Sequence, residues 1–418
     1  MTMQDFQTPT GSSEELIAPL PRIAMQAFCE THELKQVLQA TLSDRRMAKV
    51  MLKVQDGGVA ACLEAYRGAP TPNVIIIEAS NDRHGLLTRL DELAQYCDAG
   101  TRVLVIGQTN DVILYRELIK RGVSEYLIAP VTVMDVIGAF SVMFNSGEGA
   151  SVGRVISVVG AKGGVGASTI AHNLAFMLAT GFDLGTTLVD LDLPFGTAGL
   201  DFNQDPPQGI AEAVLAPDRL DANFVDRLLS KCTDNLNLMA APATLERVYD
   251  FRETDFDGLT DILRASTPAI IMDVPHVWNA WTRRMLISSD EIVLVCAPDL
   301  ANLRNAKTLI DVLRQARPND SKPGIVLNMV GIAKRPEIGA AEFAKALDSD
   351  LLATIPFDPA LFGTAANNGQ MLSEVQPKSK TVEMIADIAR RVTGRAESKV
   401  VKKSFLDPFL SKLKQRVA

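Results

Sequence analysis

Two doubly wound α/β units in tandem are what this chain of 418 residues encodes, and three observations predict them. Five apolar strand-like runs alternate with five helix-like runs between Arg22 and Phe144, which is the grammar of a parallel sheet of flavodoxin type. A small, polar, Gly-rich stretch, Asn145-Ser146-Gly147-Glu148-Gly149-Ala150-Ser151, then breaks the pattern and reads as a linker. Beyond it a strand, a glycine-rich turn and a helix open a second, larger α/β series.

Residues 1 to about 20 are polar, rich in Ser, Thr and Pro and without hydrophobic period, and are expected to form a disordered arm. In the first unit, residues 21–146, strands are predicted at Ile23–Phe28, Ala48–Val54, Val74–Ile77, Arg102–Ile106 and Glu125–Ile128. Helices are predicted at His32–Thr41, Val59–Tyr66, Arg83–Tyr96, Asp111–Arg121 and Val131–Phe144. In the second unit, residues 154–395, the run Val155–Gly160 is followed by strands at Thr187–Leu191, Leu236–Ala240, Ala269–Asp273, Glu291–Ala297, Gly324–Asn328 and Leu352–Ile355. No internal repeat is evident.

Length and composition set outer limits. A chain this long needs two or three cores, and 47% apolar against 22% charged residues describes a globular, soluble chain. A formal charge of −8 argues against a general nucleic-acid footprint, so DNA is an unlikely partner. Five cysteines, scattered and without metal-ligand spacing, read as reduced residues of a cytoplasmic protein. No signal peptide is seen and no apolar run reaches membrane-spanning length, so neither export nor insertion is expected.

Ala161-Lys162-Gly163-Gly164-Val165-Gly166-Ala167-Ser168-Thr169 is the stretch that carries chemistry. Gly163, Gly164 and Gly166 let the backbone turn several N–H groups inward, and the helix that follows near Ser168 adds its positive end, so a polyphosphate is favoured there. The Ser168 hydroxyl, with Thr169 beside it, suits Mg²⁺ held on the same phosphates. The usual phosphate-loop lysine would stand at 167, where this chain has Ala167; a lysine stands early instead, at Lys162. In that respect the loop resembles the ParA/MinD family of dimerising ATPases. The resemblance implies bound ATP and Mg²⁺, a homodimer sandwiching two nucleotides, and a Lys162 that reaches across to the partner's phosphates, with the role of a lysine at 167 left empty. Loss of that ammonium forfeits about 1.5–3 kcal/mol of charge-assisted binding, or roughly ten- to a hundred-fold in affinity. The loss in the transition state is larger still, so nucleotide binding is expected to survive while hydrolysis is slow or absent.

Two acidic strand ends follow in the order such a loop requires. Thr187-Leu188-Val189-Asp190-Leu191-Asp192-Leu193 ends with two carboxylates two residues apart, which share a side if the strand stays extended. Ala269-Ile270-Ile271-Met272-Asp273 has the form of a Walker B strand, with Asp273 expected to hold Mg²⁺ through water or Ser168. The family resemblance implies that Asp192 orders the attacking water, that Asp190 supports the loop and lies at the metal, and that Pro194-Phe195-Gly196 moves when the γ-phosphate leaves. Asn328, at the end of Ile325-Val326-Leu327-Asn328, has the amide donor and acceptor to read adenine, and Pro356 in Ile355-Pro356-Phe357-Asp358-Pro359 resembles the family's loop over the base. His276, beside Trp278 and Trp281, reads as packing rather than catalysis.

The first unit resembles a response-regulator receiver domain, with Glu125-Tyr126-Leu127-Ile128-Ala129-Pro130 like its fifth strand, but the receiver chemistry is missing. Phe28-Cys29-Glu30 offers at most one carboxylate for a metal, Glu78 stands where an Asp would accept phosphate, and Ala129 replaces the lysine. That combination implies a pseudo-receiver used for binding. Together with Asp190-Leu191-Asp192-Leu193-Pro194-Phe195-Gly196, Asp205-Pro206-Pro207 and Val274-Pro275-His276-Val277-Trp278-Asn279-Ala280-Trp281, it resembles the CpaE/TadZ branch, which assembles and positions Flp-type (tight adherence) pili. The implied partners are the Flp/Tad pilus assembly and secretion proteins. Rival readings are an active ParA/MinD-type ATPase that positions chromosomes or division sites, and a phosphorylation-controlled regulator. The tail, residues 396–418, is basic; Asp407-Pro408 makes a helix start, and Phe409, Leu410, Leu413 and Val417 share one face flanked by Lys412, Lys414 and Arg416. Such a segment needs a surface, either the protein's own body, a partner, or an anionic membrane at the pole or inner face of the cell.

Overall fold

A computed structural model describes residues 17–79, 83–145, 152–242 and 244–394. The first sheet is built from β1 (Ile23–Cys29), β2 (Val50–Asp56), β3 (Val74–Ala79), β4 (Arg102–Gly107) and β5 (Glu125–Ile128). Its order, β2-β1-β3-β4-β5, is all parallel, the flavodoxin-like arrangement that alternation in the sequence implies. β3 is buried along its whole length, as a central parallel strand covered on both faces must be, and this is why Val74-Ile75-Ile76-Ile77 is continuous rather than alternating.

The second sheet holds β6 (Arg154–Gly160), β7 (Thr186–Asp190), β8 (Ser230–Lys231), β9 (Leu236–Met239), β10 (Ala269–Val274), β11 (Glu291–Cys296), β12 (Gly324–Val330) and β13 (Leu351–Pro356). Its order is β13-β12-β11-β6-β10-β7-β9-β8, parallel except for the β8 edge, a two-residue strand too short to leave a periodic signal. Two cores fill its faces. Ile170, Leu174 and Leu178 of the helical segment after the loop pack on one side, and Trp281, Met285 and Ile310 on the other.

Three sequence expectations are corrected. Residues 17–20, placed in a disordered arm, pack on the first sheet, with Ala18 and Leu20 buried and Leu20 N donating to the Arg46 carbonyl. The helix from Arg83 ends at Leu93 rather than Tyr96, and β2 spans Val50–Asp56 rather than beginning at Ala48, whose place closes a 3₁₀ turn, Arg45–Met47. Residues 146–151 of the linker, residues 1–16 and the basic tail lie outside the described residues. Among the described residues no helix is long and apolar enough to cross a membrane.

The two sheets meet through their strand-start edges. Arg45 and Arg46, in the turn that leads into β2, reach Asp290, just before β11, and Asp320, before β12. Arg264, before β10, joins the same Asp290 at 2.5 Å, and Arg317 joins Asp320 at 3.3 Å. All these side chains are nine-tenths buried or more.

Candidate functional site

Parallel strands end on one edge, so every loop that follows β6, β7, β10, β11, β12 and β13 opens on the same side of the second sheet. The loop after β6 is a cradle. Gly164 and Gly166 sit at φ +79° and +83°, in the left-handed region that only glycine enters without strain. A Cβ on Gly164 would meet nothing within 4 Å, and one on Gly163 only the edge of His276 at 4.0 Å, so the concave side is open. The helix Ala167–Phe176 starts directly from Gly166, which gives it no side-chain cap, and its first-turn amides remain for an anion. Gly163, Gly164, Val165, Gly166, Ala167, Ser168 and Thr169 are thus gathered into one turn. Lys162 is exposed at its rim and forms no ion pair among the described residues, although its charge helps hold Asp299 below the usual carboxylate range.

The carboxylates fall into distinct jobs. Asp190 is fully buried; its Oδ1 accepts from the Asp192 amide and its Oδ2 from the Ala198 amide, both at 3.1 Å. Asp190 therefore braces the loop through one hydrogen bond to each oxygen, which leaves each a further acceptor site for the metal expected there. The chain turns at once after Asp190, so the two acids do not share a strand face: Asp192 is half-buried, its carbonyl accepting from Gly196 N at 2.6 Å. Burial, and next the charge of Asp273, push the Asp190 carboxyl up from its ordinary range.

His172 is the residue that sequence reasoning missed. Wholly buried on the helix Ala167–Phe176, it lies 2.7 Å by Nδ1 from Asp201 and 3.3 Å by Nε2 from Asp273. Burial opposes its protonation, but the hydrogen bond to Asp201 and the nearby Asp273 carboxylate prevail and push the imidazolium up to about 10. The ring thereby links the Walker B-like strand end to the segment that follows Asp192, behind the phosphate loop. A lone His in an apolar helix gives no sequence signal of this.

The base side also differs in detail from expectation. A cavity of about 520 Å³ opens beside the loop, lined among others by Gly166, Thr169, Asn328, Pro356, Phe357 and Phe362, a size and apolar lining that suit a nucleoside. Asn328 is nearly buried and its Nδ2 donates to the Val165 carbonyl at 2.8 Å, so its donor is spent on the loop and the amide oxygen remains for a base. His276 does not pack: it is exposed, with Nδ1 at 2.9 Å from the Gly160 carbonyl. Trp281 does pack, against Phe256 at 4.8 Å between ring centres, whereas Trp278 is half exposed.

An open glycine cradle, an uncapped helix start and the buried Asp273 fit a Mg²⁺-bound polyphosphate. Among the described residues no three His, Cys, Asp or Glu side chains form a metal cage. Ser168, half-buried in the first helical turn, and Asp273 would hold that ion.

Fold and site together define a phosphate-loop nucleotide-binding α/β protein. Residues 156–372 match the CbiA family, the CobQ/CobB/MinD/ParA nucleotide binding domain, and the chain belongs to that family. The septum site-determining protein MinD of Synechocystis is 28% identical over 253 residues, 58% of this chain and 90% of the relative. A ParA family ATPase of known structure from Chlorobium tepidum superposes with a TM-score of 0.52 at 30% identity, over 56% of this chain and 98% of that one. The pilus assembly protein CpaE from Caulobacter crescentus is 43% identical over 30% of this chain and 97% of that one, with a TM-score of 0.30.

Proposed function

We propose that this chain is an ATP-binding, dimer-forming scaffold of ParA/MinD type that positions the Flp pilus secretion machinery and hydrolyses ATP slowly or not at all. The observation that carries the reading is a phosphate cradle left open while its only lysine, Lys162, is exposed at the rim and Ala167 leaves the loop without a cation on its own helix. A dimer face is supported by the large apolar side chains standing out on the same edge: Phe195 is 72% exposed, Leu200 74%, Trp278 54% and Leu300 73%. Burial of such a cluster on association would be favourable.

The first sheet supports a docking role over phosphotransfer. Glu78, at the would-be phosphoacceptor position, accepts from the Glu30 and Thr31 amides at 2.6 and 2.8 Å and from the Thr31 hydroxyl at 2.6 Å. Its carboxylate is committed to the start of the helix His32–Thr41, so this unit is read as a pseudo-receiver. The assignment to pilus assembly rests on the CpaE/TadZ-like motifs around Asp190–Gly196 and Asp205–Pro207 placed behind such a unit.

Sedimentation of the wild type and Lys162→Ala, with and without Mg-ATP, tests the sandwich. A nucleotide-driven dimer abolished by the substitution is expected; a dimer indifferent to both would overturn it. Similarity to MinD favours a second reading, a cycling ATPase that marks division sites. Brisk single-turnover hydrolysis, lost in Asp192→Ala, would replace the scaffold by that reading.

A further inference from the structure

Three side chains from elsewhere in the fold reach the phosphate loop and each takes one of its carbonyls. His276, in the loop after β10, meets the Gly160 carbonyl at 2.9 Å; a carbonyl cannot donate, so the proton is on Nδ1. Asn305, on the helix Leu300–Ala316, donates from Nδ2 to the Ala161 carbonyl at 2.9 Å. Asn328 donates to the Val165 carbonyl at 2.8 Å, and Gly166 can carry no Cβ because Asn328 Nδ2 would stand 2.7 Å from it.

The first two bonds fall immediately before Lys162. In the Gly160–Ala161 peptide the carbonyl is held by His276, and the amide on its opposite side donates to the Val295 carbonyl at 2.8 Å. That plane is fixed from both ends. In the next peptide the carbonyl is held by Asn305, so the Lys162 amide must point the opposite way. The first plane is thus held at both ends and the second at its carbonyl, so the point at which the Lys162 side chain leaves the loop is constrained by the loop after β10, by β11 and by the helix Leu300–Ala316. With Ala167 in the loop, Lys162 and the backbone amides are the groups left to meet phosphate charge, so their direction matters more than it would beside a second lysine.

We propose that His276 and Asn305 are positioning residues that aim Lys162 toward the nucleotide of a second copy; this rests on the sandwich reading above. The pair acts before nucleotide arrives, through hydrogen bonds to the loop backbone.

The test uses the full chain carrying His276→Ala, Asn305→Ala or both. Two quantities are measured: the dimer dissociation constant in Mg-ATP by sedimentation, and amide exchange of residues 161–166 in the nucleotide-free chain by mass spectrometry. Each single substitution is expected to weaken dimerisation by about ten-fold and to speed loop exchange, with the melting temperature unchanged, and Asn305→Gln is expected to recover part of the loss. Dimerisation that is unaltered, or that falls only in step with melting temperature, overturns the proposal. Should the wild type fail to dimerise in Mg-ATP, the sandwich reading falls and the aim toward a second copy falls with it; the exchange arm then decides only whether the pair braces the loop, with unchanged exchange refuting that as well.

Discussion

Ala167 and His172 stand one and a half turns apart on the same helix, and each redirects charge at the site in a way the other does not. Ala167 removes a cation from the phosphate side, so Ala167→Lys should raise ATP affinity by roughly ten- to a hundred-fold, read by titration with a fluorescent nucleotide. Should the loop be too tight for that side chain, affinity would instead fall and a lysine-free cradle would be the built state. His172 places an imidazole whose protonation is favoured on the protein side, between Asp201 and Asp273. His172→Leu strands both carboxylates, one of them buried, and should cost about 3–5 kcal/mol in urea unfolding. A loss under 1 kcal/mol would mean that the imidazole is not charged in the folded chain.

Elements set the site by where they end. Asp190 and Asp273 close adjacent parallel strands in register, Asp273 opposite Asp190, and this alone brings two acids to one edge. The turn after β7 is then held by Asp190 and fits so closely at Gly196 that a methyl there would overlap the Asp190 carboxylate and come within 2.6 Å of the Ala241 Cβ. Gly196→Ala should therefore lower stability by about 1–3 kcal/mol and weaken Mg-nucleotide binding, measured by denaturation and by titration on the same sample. Most strands were legible because central parallel strands are long apolar runs bounded by turn residues. The β8 edge and the early stop at Leu93 were not, since a two-residue strand and a fraying helix end leave no period to read.

At the scale of the whole molecule, four arginines (Arg45, Arg46, Arg264, Arg317) and three aspartates (Asp44, Asp290, Asp320) join the two units behind the sheet edge opposite the nucleotide loop. A rigid dimer made at the loop edge would thus carry its first units outward at the two far ends. Arg45→Ala leaves Asp290 and Asp320 each short of a partner, and should cost about 3–5 kcal/mol of docking, splitting a single calorimetric transition into two. For Asp290 burial raises the carboxyl and the charges of Arg264 and Arg45 outweigh it, so the folded value lies below the ordinary 3.8; Asp320 is likewise held low. Their contribution is therefore fully present above the ordinary value and is lost as pH falls through the folded one. The radius of gyration by X-ray scattering should hold steady from pH 7 to about 5 and rise only in stronger acid, below the ordinary carboxylate range; an increase already at pH 6 would point to histidine control instead.

What the sequence by itself determined is local: the alternation that makes two doubly wound sheets, the glycine turn between a strand and a helix, the early Lys162 with Ala167 behind it, and the acids that close β7 and β10. Each is written within a few residues by hydrophobic period, backbone freedom or strand length. Only the tertiary structure decided which groups face one another. Arg45 meets Asp320 across 275 residues of sequence, Asn328 meets the loop across 163 and Asn305 across 144. The physical reason is that strand order, which no single stretch of sequence records, chooses the neighbours of a buried charge, and burial then makes that choice energetically decisive.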